Sequence, residues 1–193
     1  MSGGRNRVEF EAEEIRRLLG LLDSRLRRRR VRASIYVVGG AAIAMTVVDT
    51  RRTIDVDALA SEAVVMEEAR LLADAEGIPT TWLNSNAASW VPPRPADAVV
   101  PPERLGLTVH YAPREHLLAM KLVAARPQDV PDIIALSLSL GMGESAEEYA
   151  DLLARVYDGE NALEDVMGGL IEDVRAEALS LGAMAVRLVQ SAR

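Results

Sequence analysis

The chain has no cysteine, a single lysine among its 22 basic residues, and seven aromatic residues in 193. Without cysteine there is no disulfide framework, no thiolate metal ligand and no thiol nucleophile, so zinc chemistry is not expected and a reducing compartment suits the chain. No apolar run approaches the roughly 18 to 20 residues that a membrane span requires. The opening MSGGRNRVEFEAEE also lacks the apolar segment of a secretory signal. The sequence therefore predicts a soluble cytoplasmic protein with no membrane partner. Its length suits one ordinary domain, or a small catalytic core carrying a helical extension.

The charge is unevenly spread. Residues 1–32 carry ten arginines against five acids, which leaves about −12 on the rest of a chain whose net charge is −7. A basic end on an acidic body favours RNA or another polyanion, whereas Arg27 to Arg30 also read as the solvated last turn of a helix. Lys121 stands out because every other cation is arginine. A lone lysine in such a chain points to a place that wants a compact ammonium instead of a planar fork, phosphate neutralisation being the obvious use.

Apolar residues Val8, Ile15, Leu18, Leu19, Leu22 and Leu26 recur mostly every three to four positions and predict an amphipathic helix over Val8 to Arg29. Ser34 to Val38 reads as a buried strand. Gly39 and Gly40 follow it, then a short apolar helix over Ala41 to Val48, then a strand over Ile54 to Leu59. Glu62 to Ala75 is expected to be helical and to stop at Gly77, with Ile78 to Leu83 a third strand. Five prolines between Asn84 and Arg104 predict a long surface loop. Leu105 to Tyr111 closes the sheet. Helices are expected thereafter over Glu115 to Ala125, Val130 to Leu140, Ala146 to Val156 and about Ala162 to Leu188. The organisation predicted is an N-terminal helix (1–32), an α/β core (33–112) and a helical region (113–193).

The chemistry gathers around the glycine pair and the string Arg52-Thr53-Ile54-Asp55-Val56-Asp57. Strand side chains alternate, so Asp55 and Asp57 are expected to project together while Ile54 and Val56 enter a core. Two carboxylates held so close repel each other unless a cation lies between them, and Mg²⁺ with nucleotide phosphates meets that need. Gly39 and Gly40 let backbone N–H groups approach a phosphate, and Arg52 and Thr53 flank the acids. In KLVAARPQDVPDI, Asp132 reads as a third ligand, a general base or an ion-pair partner of Lys121 or Arg126, and Asp129 as the N-cap of the next helix. His110 reads as a packed strand residue before a metal ligand or base, and His116 as a surface residue. Trp82 and Trp90 read as core or loop anchors before base-stacking platforms, and Met120 and Met142 as core filling.

Taken together, the glycine pair, RRTIDVD and the later lysine followed by aspartate resemble the nucleotidyltransferase superfamily, in particular its AbiEii-like branch with the type IV toxin (MenT-like) enzymes. The resemblance covers about Tyr36 to Leu140. It implies an α/β (α+β) fold, a small mixed sheet flanked by helices with a C-terminal helical region. It also implies Mg²⁺-dependent transfer of a nucleoside monophosphate from an NTP to an acceptor hydroxyl, the acceptor being an RNA such as a tRNA 3′ end and the partner an antitoxin protein. By position, Asp55 and Asp57 would hold Mg²⁺, Gly39, Gly40, Arg52 and Thr53 would face the nucleotide, and Lys121 with Asp132 would complete the catalytic set. The chain departs from that pattern twice. Gly40 stands where the family commonly has serine, and Leu107 to Tyr111 contains no acid, where many members carry a third carboxylate. A catalytically impaired nucleotide-binding or regulatory member of the same fold is the alternative.

Overall fold

Six consecutive residues, Ala33 to Val38, are buried in strand β1 (Arg32–Val38), as befits a strand with neighbours on both sides. In the computed structural model, which describes residues 8–93, 100, 102–167 and 173–193, β1 pairs antiparallel with β2 (Val56–Ala60) and parallel with β4 (Gly106–Tyr111). β2 pairs parallel with the two-residue β3 (Leu83–Asn84), giving the order β3-β2-β1-β4. The fold is mixed α/β, 59% helical, an open mixed sheet flanked by helices with a helix at the C-terminus. Expectations that fell on residues 1–7, on Pro95 and Pro101, and on 168–172 lie outside the described residues.

The chain divides into two compact units, one of residues 1–88 with 95–111 and the other of 89–94 with 112–193. In the first, helix α1 (Ala12–Arg28) buries Ile15, Leu18, Leu19, Leu22 and Leu26 and packs against β4, β1 and α3. Each such leucine is worth about 1.5–3 kcal/mol of burial. The helix starts four residues later than its periodicity predicts. Phe10 instead forms an antiparallel bridge with Thr53, its N–H donating to the Thr53 carbonyl at 2.6 Å and its carbonyl accepting from the Thr53 N–H at 3.0 Å. Those backbone groups are then lost to the helix, and Val8 is left 39% exposed.

Helix α2 (Gly39–Thr46) begins at the glycine pair, and α3 (Val64–Glu76) ends on left-handed Gly77. The third strand is not over Ile78 to Leu83. A turn in which the Trp82 N–H donates to the Pro79 carbonyl at 3.0 Å takes up that stretch, and pairing begins only at Leu83. Trp82 is fully buried and anchors the turn to α3, its Nε1 donating to the Ala69 carbonyl at 2.9 Å.

The second unit is helical: α4 (Arg114–Ala124), α5 (Val130–Ser139), α6 (Ala146–Val156), α7 (Glu160–Met167) and α8 (Val174–Ala192). Ser145 caps α6 by accepting the Glu148 N–H at 3.3 Å, the arrangement that a serine three residues before a glutamate favours. The single helix predicted from Ala162 to Leu188 is two, because Asp173 caps a new start, accepting the Ala176 N–H at 2.9 Å. Among the described residues no helix is long and apolar enough to cross a membrane.

Candidate functional site

Every candidate around the acidic pair belongs to the first unit. Gly39 has φ +63°, the left-handed conformation that glycine enters without a Cβ penalty, and it turns the chain from β1 into α2. A Cβ on Gly39 would stand 3.2 Å from Asp57 Oδ2, so the carboxylate lies directly on the glycine turn. The register explains this approach, because Asp57 sits opposite Val38, the residue before the turn. A Cβ on Gly40 would stand 2.7 Å from a guanidinium nitrogen of Arg51 and 2.9 Å from Thr53 Oγ1.

Asp55 lies one residue before β2, which starts at Val56 and not at Ile54. Val56 is fully buried as expected, with its N–H donating to the Trp82 carbonyl at 2.6 Å. Ile54 is not in the core. It is 36% exposed, because residue 53 is bridged to Phe10 and the chain bends before the strand begins. Asp55 is held twice: its carbonyl accepts from Thr53 Oγ1 at 3.1 Å, and its Oδ2 accepts from Asn84 Nδ2 at 3.2 Å. Asn84 is itself the β3 neighbour of Asp57. Directly paired strand residues point to the same side, so Asn84 ties the two acids to one face.

Arg52 is exposed, and its guanidinium meets Glu11 at 2.6 Å and Glu9 at 3.9 Å. Its charge is thus engaged by the N-terminal segment. Arg51 and Asn84 are the two residues around the acids that periodicity did not single out. Nothing in the sequence pattern marks either one, since both approaches arise from the fold.

Lys121 and Asp132 belong to the second unit, where they meet each other. Lys121 is 6% exposed on α4, and its Nζ lies 2.5 Å from Asp129 Oδ1 and 2.8 Å from Asp132 Oδ2. Asp129 also takes Arg126 Nε at 2.6 Å. Burial alone would push the Asp129 carboxyl up, but hydrogen bonds from Arg126 and Lys121 outweigh it and hold the group below the usual carboxylate range. Asp129 occupies the N-cap position of α5, yet its side chain caps nothing there, being spent on the two cations. Of the three roles open to Asp132, the ion-pair contact with Lys121 is present.

His110 lies on β4 opposite Tyr36 and is partly exposed. His116 is half-buried on α4 instead of fully on the surface, and that burial lowers its pKa. Met120 and Met142 are half-buried, and Trp90, in a 3-10 turn over Ala88–Trp90, is 50% exposed. Among the described residues no three His, Asp or Glu side chains converge as a metal-holding group. Set beside protein-family models, curated proteins and solved structures, the chain matches none of them.

Proposed function

We propose that the chain is a Mg²⁺-dependent nucleotidyltransferase that moves a nucleoside monophosphate from an NTP to an acceptor hydroxyl. The observation that carries this reading is the seat of Asp57 on the glycine turn, with Asp55 on the same face through Asn84. Two carboxylates suit Mg²⁺, which takes oxygen ligands and fills its remaining positions with waters and substrate phosphates. Bound by Asp55 and Asp57, the ion would offset charge building on the phosphoryl oxygens.

The first N–H groups of α2, which starts at Gly39, would meet a phosphate. The acceptor hydroxyl attacks the α-phosphorus in line, the bond to the bridging oxygen breaks, pyrophosphate leaves, and the hydroxyl proton passes to a carboxylate of the pair. We give Lys121 no phosphate in this reading, because its ammonium already meets two carboxylates in the second unit. On the resemblance above, the acceptor is an RNA 3′ hydroxyl, a tRNA end among the first to try, and an antitoxin would be the protein partner. Asp55→Ala should abolish transfer of label from α-labelled NTPs to a tRNA pool in the presence of Mg²⁺. Transfer that survives in this variant removes the metal assignment.

The absence of an acid from Leu107 to Tyr111 on β4 favours a second reading, in which the fold binds nucleotide without turnover. Calorimetry with ATP, CTP, GTP and UTP in Mg²⁺ separates the two: binding with no transfer supports the second, and no binding removes both.

A further inference from the structure

We infer that Asn84 is a positioning residue that fixes which oxygen of Asp55 meets the metal ion, an inference that rests on the nucleotidyltransferase reading. The two acids are not held alike. Asp57 lies within β2, with Val38 of β1 on one side and Asn84 of β3 on the other. Asp55 lies outside the paired residues of β2, which begin at Val56. The terminal torsion of an aspartate is broad, so a carboxylate left to turn on it presents either oxygen to a cation.

Asn84 removes that freedom. Its amide has one acceptor oxygen and two N–H donors, and the loop assigns each end. The Asn86 N–H, which can only donate, meets Oδ1 at 2.8 Å. The Thr81 carbonyl, which can only accept, takes Nδ2 at 3.4 Å. Nδ2 therefore faces Asp55, and it donates to Oδ2 at 3.2 Å. A flipped amide would turn its N–H groups onto the Asn86 N–H and its oxygen onto the Thr81 carbonyl and the Asp55 carboxylate. Among the described residues Oδ2 is the Asp55 carboxylate oxygen that accepts a hydrogen bond, which leaves Oδ1 for the ion. Partners of this kind orient a metal's ligands and carry about ten- to hundredfold of its affinity.

The test is a titration of Mn²⁺, which takes the same oxygen ligands as Mg²⁺, into the wild-type protein, Asn84→Ala, Asn84→Ser and Asp55→Ala, with the free ion read by electron paramagnetic resonance. Asn84→Ala should weaken Mn²⁺ binding about tenfold or more. Asn84→Ser keeps a side-chain oxygen for the Asn86 N–H, as serine does in such turns, but its hydroxyl is too short to reach Asp55. It should therefore keep the turn and still bind Mn²⁺ as weakly as Asn84→Ala, and it decides the matter if the alanine variant fails to fold. Wild-type affinity in either Asn84 variant overturns the positioning role while leaving the acidic pair standing. Wild-type protein that binds no Mn²⁺, or binding that is unchanged in Asp55→Ala, overturns Asn84 together with the metal assignment on which the nucleotidyltransferase reading stands.

Discussion

Gly39 concentrates the constraints of the site in one residue. Its φ of +63° strains any L-amino acid, and an added Cβ would meet Asp57 Oδ2 at 3.2 Å. The backbone term costs about 1–2 kcal/mol. The carboxylate would also have to yield by a few tenths of an ångström. Gly39→Ala is therefore expected to lower the unfolding free energy by about 1–2 kcal/mol in a urea titration. It should also disturb the acid pair, because the atom displaced belongs to Asp57. A variant as stable as the wild-type protein would remove this account of the glycine. That a strand ends in a glycine pair is plain in the sequence. That Asp57 would lie on the first glycine, and Arg51 with Thr53 on the second, depends on β1 and β2 pairing so that Val38 opposes Asp57.

At the scale of elements, strongly periodic segments were legible and segments whose ends depend on distant partners were not. α6 runs from Ala146 to Val156 as predicted, since its apolar face and its Ser145 cap are all local. α1 starts late because Phe10 spends its backbone on Thr53, more than forty residues away, and no helical period reports such a bridge. The third strand shrinks to Leu83–Asn84 because Trp82, fully buried, is held by the carbonyl of Ala69. Lys121 joins α4 to the start of α5 through Asp129 and Asp132, each with a side chain no more than 7% exposed. Lys121→Met would leave two buried carboxylates without their shared ammonium. A loss of about 3 kcal/mol or more is expected from the urea midpoint, the range in which breaking a buried pair falls. Unchanged stability would show that the ion pair contributes nothing to holding these helices.

At the scale of the whole molecule, four arginines of the basic N-terminal stretch meet acids of their own unit. Arg17 meets Glu14 and Glu76 at 2.9 and 2.7 Å, Arg27 meets Asp23 at 2.7 Å, and Arg25 and Arg29 both hold Glu68, whose side chain is 7% exposed. Arg27 and Arg28 lie in the last turn of α1, and Arg29 is its C-cap. Burial alone would raise the Glu68 carboxyl, but hydrogen bonds from Arg29 and Arg25 prevail and lower it. Glu68 in the first unit and Asp129 in the second are thus both depressed. A carboxyl depressed in the folded state contributes its full stability above the unfolded carboxyl pKa of about 4, and loses it as pH falls through the folded value. Tm should hold steady from about pH 7 to about pH 5 and fall below about pH 4. Glu68→Gln should start from a lower Tm and fall less steeply, as read by circular dichroism. A fall in Tm that begins well above pH 5 would mean that other groups dominate.

Composition and local spacing were enough for the class of fold and the order of its elements, and they marked the acidic pair and the glycine turn before it. Those are short-range properties, carried by residues within one or two turns of each other. The seat of Asp57 on Gly39, the tie from Asn84 to Asp55, the packing of Arg51 over Gly40 and the capture of Lys121 by two carboxylates came from folding itself. Each joins chain segments whose approach is set by strand register or helix packing; a one-residue slip of β2 against β1 would carry Asp57 off Gly39, and a shift of α5 along α4 would part Lys121 from Asp132.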